Sequence, residues 1–107
     1  MAPNAEAVPS PAVAPEVLAF AEQEGVTAYL PAVIEMTRRI FPAAPLRVFV
    51  EEDPEIANDP HIVLEVELTG MGVPELIATH RQWISEIFQH CPATHACVFR
   101  LGMVPLA

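Results

Sequence analysis

Leu46-Arg47-Val48-Phe49-Val50-Glu51, then a nine-residue segment rich in acid and proline, then His61-Ile62-Val63-Leu64-Glu65-Val66-Glu67-Leu68: this stretch decides the fold. In its first half Leu46, Val48 and Val50 alternate with Arg47, Phe49 and Glu51. In its second half Ile62, Leu64, Val66 and Leu68 alternate with Val63, Glu65 and Glu67. Period two is the mark of a strand with one face buried and one wet. Two such strands in succession predict an antiparallel hairpin. Inward residues must pair with inward residues, so the register either opposes Arg47 to Glu65, Phe49 to Val63 and Glu51 to His61, or slides by two to oppose Arg47 to Glu67. Both choices give Arg47 a favourable cross-strand carboxylate.

Helical periods flank the pair. Upstream, Pro15 suits the first turn of a helix over 15–24, and Gly25 suits its left-handed stop. Thr27 is placed to cap a second helix, with Pro31 inside its first turn. Leu30, Val33, Ile34, Thr37, Ile40 and Phe41 recur at three and four residues on that helix, which Pro42 and Pro45 end. Arg38 and Arg39 suit its C-terminus. Downstream of Gly70 and Gly72, Pro74 and Glu75 open a third helix with Leu76, Ile77, His80, Trp83, Ile84, Ile87 and Phe88 on one face. Pro92 ends that element, and Ala96–Leu101 reads as a third strand.

The expected architecture is α+β: a two-layer domain over 15–107 with a three-stranded, mainly antiparallel sheet and three helices on one face. Placing the last strand beside the first gives order 2-1-3 and is preferred. Order 1-2-3 would pair the second and third strands in parallel. Residues 1–14, with Pro3, Pro9 and Pro11 among alanines, read as an unstructured leader.

The chain has 107 residues, 52% of them hydrophobic, with a net charge of −9 from 14 acidic and 5 basic residues. All five basic residues are arginines, at 38, 39, 47, 81 and 100. Phosphate recognition depends on clustered Lys and Arg, so this balance argues against nucleic acid and against anionic membranes as partners. No apolar stretch approaches the ~20 residues needed to cross a bilayer. The first residues have neither the positive charge nor the apolar run of an export signal, so a cytoplasmic location with reduced thiols is expected.

Several constellations invite chemistry. His90, Cys91, His95 and Cys97 are zinc-type ligands within eight residues. Their spacing is nearly contiguous, whereas structural zinc sites separate two ligand pairs by a longer segment. The competing reading turns Cys97 inward beside Phe99 and Leu101 as a small core residue and leaves both histidines wet. Asp53, Glu55 and Asp59 occupy positions one, three and seven of a possible calcium loop. Asn58 stands where an EF-hand needs glycine, and Leu64 where it needs a bidentate glutamate. His80 could act as an acid or base, but a histidine on an apolar helix face is more often a boundary residue. No nucleophile elbow, P-loop, dinucleotide fingerprint, HExxH or CxxC is present. No cofactor is therefore expected, and no catalytic residue is assigned.

The wet face of the sheet carries a different signal. In order 2-1-3, Phe49, Val63 and Val98 form an apolar stripe edged by Arg47, Glu65 and Arg100, as at a protein interface. The expected function is a non-enzymatic protein-interaction module, self-associating or half of a small protein pair. A small-ligand or zinc protein using the His/Cys cluster and an acidic, antitoxin-like neutraliser of a basic partner are the alternatives. The helix ending Ile40-Phe41-Pro42, the strand entering Glu52-Asp53-Pro54-Glu55-Ile56 and the strand Val63-Leu64-Glu65-Val66-Glu67 resemble small bacterial α+β proteins of ααββαβ order, over about residues 15–103. The resemblance implies a bacterial cytosolic accessory protein and transfers no catalytic residue.

Overall fold

A computed structural model describes residues 13–52, 55 and 60–106. Two helices, α1 (Pro15–Glu24) and α2 (Leu30–Ile40), precede strands β1 (Leu46–Glu52) and β2 (Pro60–Thr69). Helix α3 (Val73–His90), the single turn α4 (Ala93–Ala96) and strand β3 (Phe99–Leu106) follow. The domain is α+β, and the sheet is mixed with order β1-β2-β3. The hairpin takes the first of the two expected registers, with Arg47 opposite Glu65, Phe49 opposite Val63 and Glu51 opposite His61.

The expected order 2-1-3 is wrong, and so is the mainly antiparallel sheet, because β3 pairs with β2 in parallel. The ten residues of β2 run about 33 Å, and the eighteen of α3 return about 27 Å. The crossover therefore delivers the chain to the end where β2 began. Helix α1 already packs on β1, and α2 lies against α3. The β1 side of the helical layer is thus occupied, which leaves α3 and β3 the open flank of β2. As the central strand, β2 is buried at every residue from His61 to Leu64.

Local differences have local causes. Gly25, at φ 73°, ends α1, and the Val26 amide reaches back to the Ala21 carbonyl at 2.8 Å while its side chain enters the core. Thr27 does not cap α2. Tyr29 holds the N-cap position without a side-chain bond, and the amides of Tyr29 and Leu30 both donate to the Val26 carbonyl. Ala96 belongs to α4 rather than to a strand, because the amides of His95 and Ala96 both donate to the Pro92 carbonyl. The third strand starts at Phe99 and continues past Gly102. Val13 and Ala14, expected in the leader, pack against the core, while residues 1–12 lie outside the described residues.

One core joins both layers. Val17, Ala21, Leu30, Val33, Ile34 and Met36 of the first two helices meet Val48, Ile62, Leu64, Val66 and Phe99 of the sheet and Trp83 and Ile87 of α3. Two buried polar groups are satisfied inside it. The Trp83 Nε1–H donates to Thr37 Oγ1 at 2.8 Å, and the Thr37 hydroxyl donates to the Val33 carbonyl at 2.8 Å. At the rim of the same helix pair, Arg39 Nη2 donates to Glu86 Oε1 at 2.7 Å, and Gln82 donates to Oε2 of the same carboxylate. The Arg39 hydrogen bond and then that from Gln82 hold the Glu86 carboxyl below the usual carboxylate range.

Thr37→Val leaves the buried indole N–H without an acceptor and should destabilise the domain by about 1–3 kcal/mol in urea unfolding. Thr37→Ser, which keeps the hydroxyl, should lose much less. The double variant Thr37→Val/Trp83→Phe should lose less than the sum of its two singles, because neither end of the bond then remains stranded.

Candidate functional site

Helix α3 carries more apolar surface than the core can cover. At about 100° per residue, Leu76, His80, Trp83 and Ile87 point one way, and Val73, Ile77, Ile84 and Phe88 lie roughly a sixth to a quarter of a turn further round. Trp83 and Ile87 are buried. Val73, Ile77, Ile84 and Phe88 remain 66%, 49%, 43% and 55% exposed. The sequence reading put Ile77, Ile84 and Phe88 on the core face. The signal that separates them is the width of the stripe, which exceeds what one packed face can bury.

This exposed flank overlooks β3. Val73, Leu76, Ile77, His80 and Arg81 enclose a hollow of about 430 Å³ with Met103. His80, Ile84 and Phe88 enclose a second, of about 330 Å³, with Phe99 and Leu101. His80 borders both, so they form one groove between α3 and the last strand. Leu101 and Met103 lie half-buried along it. Among the described residues no carboxylate lines either hollow, in a chain of net charge −9. Among the described residues β3 is the end strand of the sheet.

The backbone of β3 can be oriented from its ladder. The Ile62 amide donates to the Val98 carbonyl at 2.8 Å, and Ile62 registers with Phe99. In a parallel pair this turns the amides and carbonyls of residues 98, 100, 102 and 104 toward β2. Those of Phe99, Leu101, Met103 and Pro105 face the open edge, where Pro105 has no N–H to offer.

The wet face of the sheet is arranged differently from the expected stripe. Phe49 and Val63 do lie side by side, but the row continues to Arg100, not Val98. Val98 precedes β3 and packs against the core. Arg47 sits over the Phe49 ring at 4.8 Å from its centroid and donates from Nε and Nη2 to Glu65 Oε1 at 2.9 and 2.7 Å. Val63 is only 7% exposed and leans over Gly102, where an added Cβ would lie 3.4 Å from its Cγ1. These apolar groups are largely covered by their own neighbours.

The His/Cys cluster does not converge. Cys91 is buried in the core, and Cys97, expected inward, is exposed in the turn before β3 with its thiol 3.7 Å from the Thr94 carbonyl. His95 stacks against Tyr29 at 5.7 Å between ring centroids, and its Nδ1 is buried without a hydrogen-bond partner. His90 ends α3 beside Glu86. Among the described residues no three His, Cys, Asp or Glu side chains come together as a metal site. Asp53 and Asp59 of the calcium reading lie outside the described residues, and Leu64 is fully buried. No described helix is long and apolar enough to cross a membrane. No protein-family model, curated protein or solved structure matches the chain.

Burial, reinforced by the neighbouring Cys97 thiol, pushes the Cys91 thiol above its ordinary pKa. Iodoacetamide should therefore modify Cys97 in the native protein more than about tenfold faster than Cys91, with the gap closing in denaturant. Peptide mass mapping over time reads both sites; equal native rates would mean that Cys91 is not shielded.

Proposed function

We propose that this chain is a non-enzymatic protein-interaction module that docks its partner on the α3 flank and the β3 edge. The observation that carries the reading is the row Val73, Ile77, Ile84 and Phe88, exposed beside a strand edge with no described carboxylate in the groove between them. Isolated exposed apolar residues are ordinary. Four on one helix flank, continuous with Leu101 and Met103, make a patch of the kind that marks an interface. A groove beside an edge strand offers backbone hydrogen bonds for affinity and apolar pockets for selectivity.

The outer sheet face, with Phe49, Val63, Arg47, Glu65 and Arg100, is the weaker candidate surface because Arg47 and Glu65 already occupy one another across it. Two free thiols, one of them buried, suit a reducing compartment such as a bacterial cytoplasm. The excess of acid elsewhere on the surface favours solubility, while the described lining of the groove carries Arg81 and Arg100 and no carboxylate.

The test is a quantitative pull-down from host cells carrying untagged copies of the same protein, comparing the wild type with Ile77→Glu/Ile84→Glu/Phe88→Glu and with Phe49→Glu. Circular dichroism establishes that each variant is folded. The triple variant should lose a stoichiometric companion, either the untagged copy or a second protein, which Phe49→Glu retains. A companion lost only with Phe49→Glu, or none lost with the triple variant, defeats the proposal.

A further inference from the structure

We infer that the occupant of the groove is a second copy of this chain, paired β3 to β3 in antiparallel fashion about a two-fold axis at Leu101. This inference rests on the reading of the α3 flank and β3 edge as the docking surface. Two three-stranded sheets become one six-stranded sheet, with the two α3 helices side by side over the seam.

Three features of the chain select this register. The edge-facing backbone groups are those of Phe99, Leu101 and Met103, by the ladder geometry set out above. A two-fold axis at Leu101 puts Leu101 opposite the partner's Leu101, and Phe99 opposite the partner's Met103. Each edge-facing N–H then meets an edge-facing carbonyl, as in any hydrogen-bonded antiparallel pair. Sliding the axis toward the N-terminus, to residue 100, sets Arg100 directly against the partner's Arg100, a like-charge pair at the closest point of the seam. Sliding it toward the C-terminus, to residue 102, sets Phe99 against the partner's Pro105, which has no N–H to give. At Leu101, Arg100 instead faces the partner's Gly102, and Pro105 stays beyond the amides that pair.

The helical layer agrees with the same axis. Leu101 lines the hollow walled by Ile84 and Phe88, and Met103 lines the one walled by Val73 and Ile77. Bringing Leu101 to its own symmetry mate places each copy's exposed α3 side chains over the other's groove, so both patches are covered by one contact. An isologous interface needs a self-complementary surface, and the described lining here is mostly apolar, with Arg81 and Arg100 as its charged members and no carboxylate. Two copies of a chain with net charge −9 repel over most approaches; here the contacting residues add no negative charge on either side.

Light scattering at tens of micromolar should give twice the chain mass of 11.7 kDa. Ile84→Glu, on the solvent-exposed flank, should halve that mass. Met103→Pro should do the same, since it deletes an edge-facing donor and leaves the β2 ladder intact; Phe49→Glu should not. A nitroxide on the native exposed Cys97 should report one distance between copies of about 25–30 Å, set by eight residues of strand between 97 and 105. A wild-type monomer, a dimer indifferent to both Ile84→Glu and Met103→Pro, or a label distance outside that window overturns the inference. A wild-type monomer whose triple α3 variant still loses another protein in the pull-down defeats the self-pairing alone. A monomer whose triple variant loses nothing defeats the docking surface as well.

Discussion

The hydrogen bond from the Trp83 indole to the Thr37 hydroxyl sets how α3 is rolled about its own axis, and the accessible surface of the protein follows from that roll. A buried indole N–H without a partner costs as much as several good packing contacts contribute, so the helix cannot turn away from α2. With Trp83 held there, Ile87 falls into the core and Ile77, Ile84 and Phe88 fall outside it. The Arg39–Glu86 pair at the rim favours the same orientation. It is solvent-exposed and adds little energy, and the pull on Glu86 is present above the ordinary carboxylate range and fades as acid protonates it. Thr37 also satisfies itself on the Val33 carbonyl, so the buried polar chain ends on backbone rather than on a stranded group.

The roll of α3 and the strand order are linked. Helix α1 packs on β1 and α2 lies against α3, so the crossover takes the other flank and brings β3 down beside β2. Making β2 the central strand buries His61 and Val63 on its outer face and gives the sheet two unlike edges. Strand β1 carries Arg47, Glu51 and Glu52, charges of the kind that discourage a further strand from pairing there. Strand β3 carries only Arg100 in its charged complement, with Pro105 near its end.

Much of this was legible in the residues. The alternation in 46–51 and 62–68 located both hairpin strands and narrowed the register to two choices, one of which is observed. Pro15, Gly25, Pro31 and Pro74 marked helix ends correctly because each acts through its own backbone, a local effect. Strand order was not local in this sense. It depended on which side of the sheet the first two helices had taken, and no pattern within a strand records that. The apolar run Ile62-Val63-Leu64 did carry a trace of it, since an uninterrupted run points to burial on both faces. The α3 flank escaped for a similar reason: a stripe of six apolar residues and His80 on one helix shows that something is covered, and the packing partner decides how much. The His/Cys cluster misled in the opposite way, because residues close in sequence were divided between helix end, core and turn.

An edge strand beside an apolar flank, as β3 is among the described residues, is a hazard that folded proteins ordinarily remove with charge, proline or a covering element. This chain has charge in abundance, 14 acidic residues, and none of the described ones lines the groove between α3 and β3. The same sheet shows the usual remedy at β1, so the composition of the chain does not forbid it at β3. Apolar residues at 77, 84 and 88 also cost solubility without serving the core, which Trp83 and Ile87 already fill on that helix. Each of the three is about half exposed. Their coincidence on the flank that borders the less guarded edge is what the proposed contact with another surface would account for. The fold makes that contact available because the bond that seats Trp83 in the core turns Ile84 and Phe88 out of it.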